Sequence, residues 1–204
     1  MIKPILSPGY ENIQTGSLEW PVVTGDFSEW KTAVESPDMP EKLRSIIRKL
    51  LAYESKGAQI IVHQADMGRA EDVKQLLETV ADRFGRIDGV FHAAGVADLK
   101  YLPELTDDIV ERELAPKVHG TRHIDRAISG ISSEKGIKPK FVCLFSSVAS
   151  SLGGLAMGAY SPANCFLDAF FQENPRRNGV AWININWDDW DDWDFEYTKE
   201  KGAD

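Results

Sequence analysis

Cysteine is scarce. Cys143 and Cys165 are the two thiols in 204 residues, and their settings, FVCLF and NCFLD, lack the close pairing of a metal knuckle or a redox motif. Buried, reduced thiols are the expectation. An excess of positive charge is also missing, because 23 Lys and Arg face 32 Asp and Glu, for a formal net charge of -9. Nucleic acids and anionic membranes both select clustered basic residues, so neither is expected as a partner. The start, MIKPILSPGY, has one lysine and three aliphatics before Ser-Pro-Gly, which makes neither a signal peptide nor a membrane span. A soluble protein of the cytoplasm follows as the expectation. The acidic aromatic stretch DDWDDWDFEYTKE lacks the alternation and the glycine of a calcium loop. No metal is expected.

What is present is an alternating β/α pattern. With 43% hydrophobic residues, the chain suffices for one α/β domain. Three stretches are distinguished: an irregular segment 1–40 with a candidate strand remnant, a body 41–190, and an acidic tail 191–204. Leu43, Ile46, Ile47, Leu50 and Leu51 fall on one stripe at helical spacing, with Gly57 as a stop. The run AQIIVHQAD reads as a strand, EDVKQLLETVADRFG as a helix, and IDGVFHAAG as a second strand. A long helix is expected over about 107–128, a strand at KFVCLFSS, a helix at 159–172, and a final strand at VAWININW. Near-continuous apolar strands separated by helices imply a parallel sheet covered on both faces, with ligands at the carboxyl ends of the strands.

The most informative stretch is FSSVASSLGGLAMGAYSPANCFLDAF. Ser147 leaves a strand, Tyr160 enters a helix thirteen positions later, and Asn164 follows one turn on. Residues four apart share a helix face, so Tyr160 and Asn164 can point into one cleft that Ser147 borders. Such a set suits protonation of a carbonyl oxygen. Tyrosine ionises near pH 10 and needs a neighbouring cation to donate and recover a proton efficiently at neutral pH. Lys117, in ELAPKVHGT, is the candidate cation. His92 and His119 are read as structural.

The motifs KGAQIIVHQADM, GRIDGVFHAAGV, LAPKVHGT, FSSVAS, AYSPANCFLDAF and ININWDDW, in this order, resemble the short-chain dehydrogenase/reductase superfamily. Specifically they resemble the ketoreductase domains of modular polyketide synthases, over about residues 46–190. Lys117 on the earlier helix and Asn164 after the tyrosine follow the exchanged pattern of those domains. The resemblance implies a Rossmann-like, doubly wound parallel sheet and reduction of a β-ketoacyl group on an acyl carrier protein by NADPH. It makes Tyr160 the general acid, Ser147 a hydrogen-bond donor to the substrate oxygen, Lys117 the electrostatic tuner and Asn164 an orienting or relay partner. Asp66 and Met67 resemble the adenine-contacting pair, and Ala93, Ala94 and Gly95 the strand end that approaches the ribose. Other synthase domains are the implied partners.

Some features depart from that pattern. The first strand with its glycine-rich, phosphate-holding turn is not found, nor are the lid and last strand beyond ININWDDW. Asp26 stands where an arginine would pair with the 2′-phosphate of NADPH, which disfavours that phosphate. The stereochemical markers Asp98, Leu99 and Leu152 assign neither alcohol hand. Two other readings therefore stay open: a non-catalytic remnant or scaffold module, and half of a split ketoreductase completed by a second chain.

Overall fold

The computed structural model describes residues 30–32, 34–39 and 41–188. The candidate strand remnant near Val22, Asp26 and the tail 191–204 lie outside them. The chain divides into two units, Met1–Ala65 and Asp66–Asp204.

In the first unit, helix α1 spans Glu41–Ser55. Its stripe behaves as the spacing dictates: Ile47 and Leu50 are buried with Trp30 and Val34, and Ile46 and Leu51 pack against them. Arg44 fastens the preceding loop by donating to the carbonyls of Val34, Ser36 and Met39 at 3.0, 2.9 and 3.0 Å. Beyond the helix Gly57 takes φ +86°, a left-handed conformation that glycine adopts without steric cost. Residues 58–66, expected as a strand, form no ladder with any described residue. Their inside-outside alternation records which face is covered, whereas a strand also needs a hydrogen-bonding neighbour, which is not encoded locally.

The second unit is α/β. Helix α2 (Ala70–Phe84) buries Val73, Leu76, Leu77 and Ala81. Strand β1 (Gly89–His92) follows, then a 3₁₀ turn at Leu102–Glu104. Helix α3 (Asp107–Leu114) starts at Thr106, whose hydroxyl accepts from the Ile109 N–H at 3.4 Å. A π-helical turn, Ala115–His119, joins it to α4 (Gly120–Lys135). Strand β2 (Phe141–Ser147), the short α5 (Ala149–Leu152), α6 (Tyr160–Glu173), β3 (Arg176–Arg177) and β4 (Val180–Trp187) complete it.

The sheet order is β1-β2-β4-β3. β2 is parallel to β1, with Gly89 opposite Phe141, and parallel to β4, with Ser147 opposite Trp187. Only β3 runs antiparallel, against the start of β4. The central strand is apolar on both faces, as a strand covered on both sides must be. Val142 and Leu144 are fully buried among Val73, Leu77, Ile124, Ile128, Leu167 and Trp182. This is the Rossmann-like parallel sheet that the pattern implied, and it brings the ends of β1, β2 and β4 to one rim.

Candidate active site

Ser147 is the last residue of β2 and half-buried, and its Oγ accepts from the Ala149 N–H at 3.1 Å. Tyr160 opens α6, and one turn later Asn164 is fully buried. The Asn164 Nδ2 donates to the Tyr160 carbonyl at 2.8 Å, while its buried Oδ1 has no partner. The two residues thus stand one turn apart on α6, with the Asn164 amide folded back on its own turn.

Lys117 reaches the same place from the π turn. Pro116 has no N–H to give to the preceding turn and its ring would crowd that turn's carbonyl. One extra residue enters the turn, so the Gly120 N–H bonds to the Ala115 carbonyl, and such bulges often mark functional sites. Lys117 is buried, and its Nζ donates to the Phe145 carbonyl at 2.8 Å and lies 5.8 Å from the centre of the Tyr160 ring. A Cβ on Gly95 would sit 3.0 Å from Lys117 Cε, so the backbone after Ala94 runs close against the lysine side chain. Burial lowers the Lys117 pKa to about 8, and the charge of Asp168 opposes the fall. His92, also buried, is pushed down to about 3, first by burial and then by Lys117. It stays neutral, in keeping with a structural role. His119 points elsewhere and pairs with Glu111 at 3.1 Å.

Asp66 and Met67 form the turn into α2. Asp66 Oδ1 accepts from the Gly68 N–H at 2.8 Å, and the Asp66 N–H donates to Asp72 at 3.0 Å. Gly68 in turn lies against Ala115, beside the π turn. Met67 is buried, with its carbonyl 3.1 Å from His123 Nδ1. Its side chain is thus core. Ala93 is exposed and Ala94 half-buried just past β1.

Sequence reasoning passed over one group of residues. Asp168 accepts hydrogen bonds from Ser146 Oγ at 2.7 Å, Ser150 Oγ at 2.6 Å, Asn184 Nδ2 at 2.7 Å and Asn186 Nδ2 at 2.9 Å. Burial works to raise its carboxyl, and these four bonds outweigh it, leaving the pKa below the usual value. A signal existed: Asn184 and Asn186 alternate in an otherwise apolar strand, and Asp168 lies two turns after Tyr160. A second group involves Asp98, whose N–H donates to the buried Glu113 at 2.8 Å and whose carboxylate pairs with Arg112. The expectation of two buried thiols fails for Cys165. It is exposed, because it occupies the outer face of α6, and its Sγ donates to the Ser150 carbonyl.

The model of the KR domain matches residues 34–192. The chain belongs to the KR domain family. It is 32% identical over 146 residues to polyketide synthase PksN of Bacillus subtilis (strain 168), an alignment covering 69% of this chain and 2% of that protein. It is also 32% identical over 158 residues to a mycocerosic acid synthase-like polyketide synthase of Mycolicibacterium smegmatis, covering 77% of this chain and 7% of that one. Among solved structures, an N-terminal ketoreductase from the macrolactin assembly line superposes with a TM-score of 0.64 at 29% identity, over 76% of this chain and 30% of the other. The KR chain thus spans less than a tenth of the length of these two curated relatives. Among the described residues no cluster of His, Cys, Asp and Glu suits a metal ion, and no helix is long and apolar enough to cross a membrane.

Proposed function

We propose that this chain is the catalytic part of a ketoreductase that reduces a β-ketoacyl thioester, carried on an acyl carrier protein, to the β-hydroxyacyl thioester with NADPH. The observation that carries this reading is the Lys117 ammonium 5.8 Å from the centre of the Tyr160 ring in a chain of the KR family. A cation beside a phenol stabilises the negative charge that gathers on the phenol oxygen as its proton leaves in the transition state. The cofactor supplies the hydride for the carbonyl carbon. Tyr160 gives its proton to the carbonyl oxygen as charge gathers there, and Ser147 Oγ donates a hydrogen bond to the same oxygen. Asn164 holds the first turn of α6 through the Tyr160 carbonyl.

The residues present suit the nicotinamide end of the dinucleotide. Lys117 uses one of its three donors on Phe145, which leaves N–H groups for ribose hydroxyls. Ala93, Ala94 and Gly95 keep the neighbouring backbone open, and Asp66 with the Met67 backbone forms the adenosine side. Asp26, at the expected arginine position, weakens the preference for a 2′-phosphate. Acyl carrier proteins and other synthase domains are the partners, and the two free thiols accord with a reducing cytoplasm.

The test is nicotinamide oxidation with a β-ketoacyl thioester mimic, comparing the purified chain with Tyr160→Phe. Loss of nearly all turnover in the variant is expected, and equal rates would overturn the proposal. A second reading, a non-catalytic module or one part of a two-chain reductase, is favoured by Asn164, whose amide is folded back onto the Tyr160 carbonyl and not extended into the cleft. Calorimetric titration with NADPH and NADH separates the two: tight 1:1 binding by the chain alone counts against the second reading.

A further inference from the structure

We propose that Asp168 is the positioning residue of this site, tying the carboxyl ends of β2 and β4 to α6 and supplying the counter-charge to Lys117. The inference rests on the ketoreductase reading for its kinetic part only.

The geometry singles out this carboxylate. Tyr160, Asn164 and Asp168 recur every fourth residue, so they lie on one face of α6. The four donors on Asp168 come from three other places: Ser146 at the end of β2, Ser150 in α5, and Asn184 and Asn186 in β4. Ser146 also reaches the Asn164 carbonyl at 3.3 Å, and Asn186 donates to the Ser147 carbonyl at 3.4 Å and to Ser150 Oγ at 2.9 Å. Ser147 and Tyr160, which reach the rim from different elements, are therefore linked through one acceptor. An ionised carboxylate is the group suited to the task, because it accepts four hydrogen bonds and donates none.

Asp168 also stands on the α6 face that carries Tyr160, whose ring lies 5.8 Å from the Lys117 ammonium, so its charge falls on the same rim as that cation. Among the groups around Lys117, His92 on β1 is held neutral, and Tyr160 on α6 presents its ring 5.8 Å from the ammonium. Glu113 on α3 receives the Asp98 N–H, and His123 on α4 engages the Met67 carbonyl. The carboxylate whose attraction reaches Lys117 is Asp168, and it opposes the effect of burial there.

Two variants separate the roles. Asp168→Asn removes the charge at nearly constant shape, and Asp168→Glu keeps the charge but displaces it by one methylene. The first readout, independent of any catalysis, is the NMR titration of Lys117 in protein labelled with ¹³C and ¹⁵N at lysine. Asp168→Asn is expected to lower the Lys117 midpoint by about one pH unit, while Asp168→Glu leaves it within a few tenths of wild type. The second readout is kcat against pH. The glutamate variant should lose roughly tenfold in kcat with no shift of the profile, and the asparagine variant should shift the profile in the direction of its Lys117 midpoint. An unmoved Lys117 midpoint in Asp168→Asn, or equal shifts in both variants, overturns the electrical role. Wild-type kcat in Asp168→Glu overturns the positioning role, and this arm stands even if Asp168→Asn does not fold. A chain without reductase activity still answers the titration, so failure of the ketoreductase reading is distinguishable from failure of this one.

Discussion

Buried bases leave a signature in stability. His92 is held neutral, with its pKa lowered to about 3 from an ordinary 6.5. Between those values the unfolded chain binds a proton that the folded chain refuses. The favourable contribution of the neutral ring is therefore complete above about pH 6.5 and is lost as the pH falls toward 3, at up to about 1.4 kcal/mol per pH unit. His92→Leu removes that slope. In urea melts from pH 7 to pH 4, wild type should lose up to about 3 kcal/mol more than the variant. Parallel curves would mean that His92 is protonated in the fold. The sequence placed His92 in an apolar strand and so indicated burial, but the cation facing it comes from a residue distant in sequence. The proximity of Lys117 to Tyr160 was likewise only permitted by the sequence. Its measure, and the binding of Lys117 to the Phe145 carbonyl, depend on how a helix and a strand pack.

Elements with a strong period were legible. The stripe in α1 and the start of α6 at Tyr160 come from local spacing, and β2 comes from its unbroken apolar run. The long helix expected over 107–128 instead extends to Lys135 in three pieces, because one π turn at Pro116 resets its register. That turn was signalled by a proline inside a helical pattern. It also aims Lys117 inward, which yields a prediction at this scale. Pro116→Ala restores an N–H and removes the ring, so the helix can close as a regular α-helix. The melting temperature is expected to rise while kcat/KM falls roughly tenfold or more as Lys117 rotates from Tyr160. Scanning calorimetry and initial rates check the two halves, and a variant both more stable and fully active would show that the π turn does not serve the site. Residues 58–66 illustrate the opposite case, where a strand-like run lacks a described neighbour. Asp168 was invisible for the same reason: its four donors lie 16 to 22 positions away along the chain, so no local pattern assembles them.

For the molecule as a whole, the site and the fold make opposing demands on Lys117. The chain carries a net charge of -9, yet it buries a cation at the rim of its sheet, where desolvation holds the pKa near 8 instead of 10.5. Below pH 8 both folded and unfolded chains hold this proton, so the burden of burying it is complete. From pH 8 to 10.5 the folded chain releases the proton first and the burden fades, by up to about 3 kcal/mol over that interval. Stability should therefore climb with pH across this window, against the trend set by tyrosine and surface lysine ionisation. Lys117→Met keeps the volume, removes the charge and forgoes one hydrogen bond to Phe145, worth about 1 kcal/mol. The expected variant is more stable than wild type at pH 7 by about 2 kcal/mol, loses that advantage by about pH 10, and has lost its proton-transfer activity. Denaturant melts of both proteins at pH 7, 8.5 and 10 decide it. A variant less stable than wild type at pH 7 would mean that Lys117 is held by interactions that outweigh its desolvation, and that its charge is no burden to the fold.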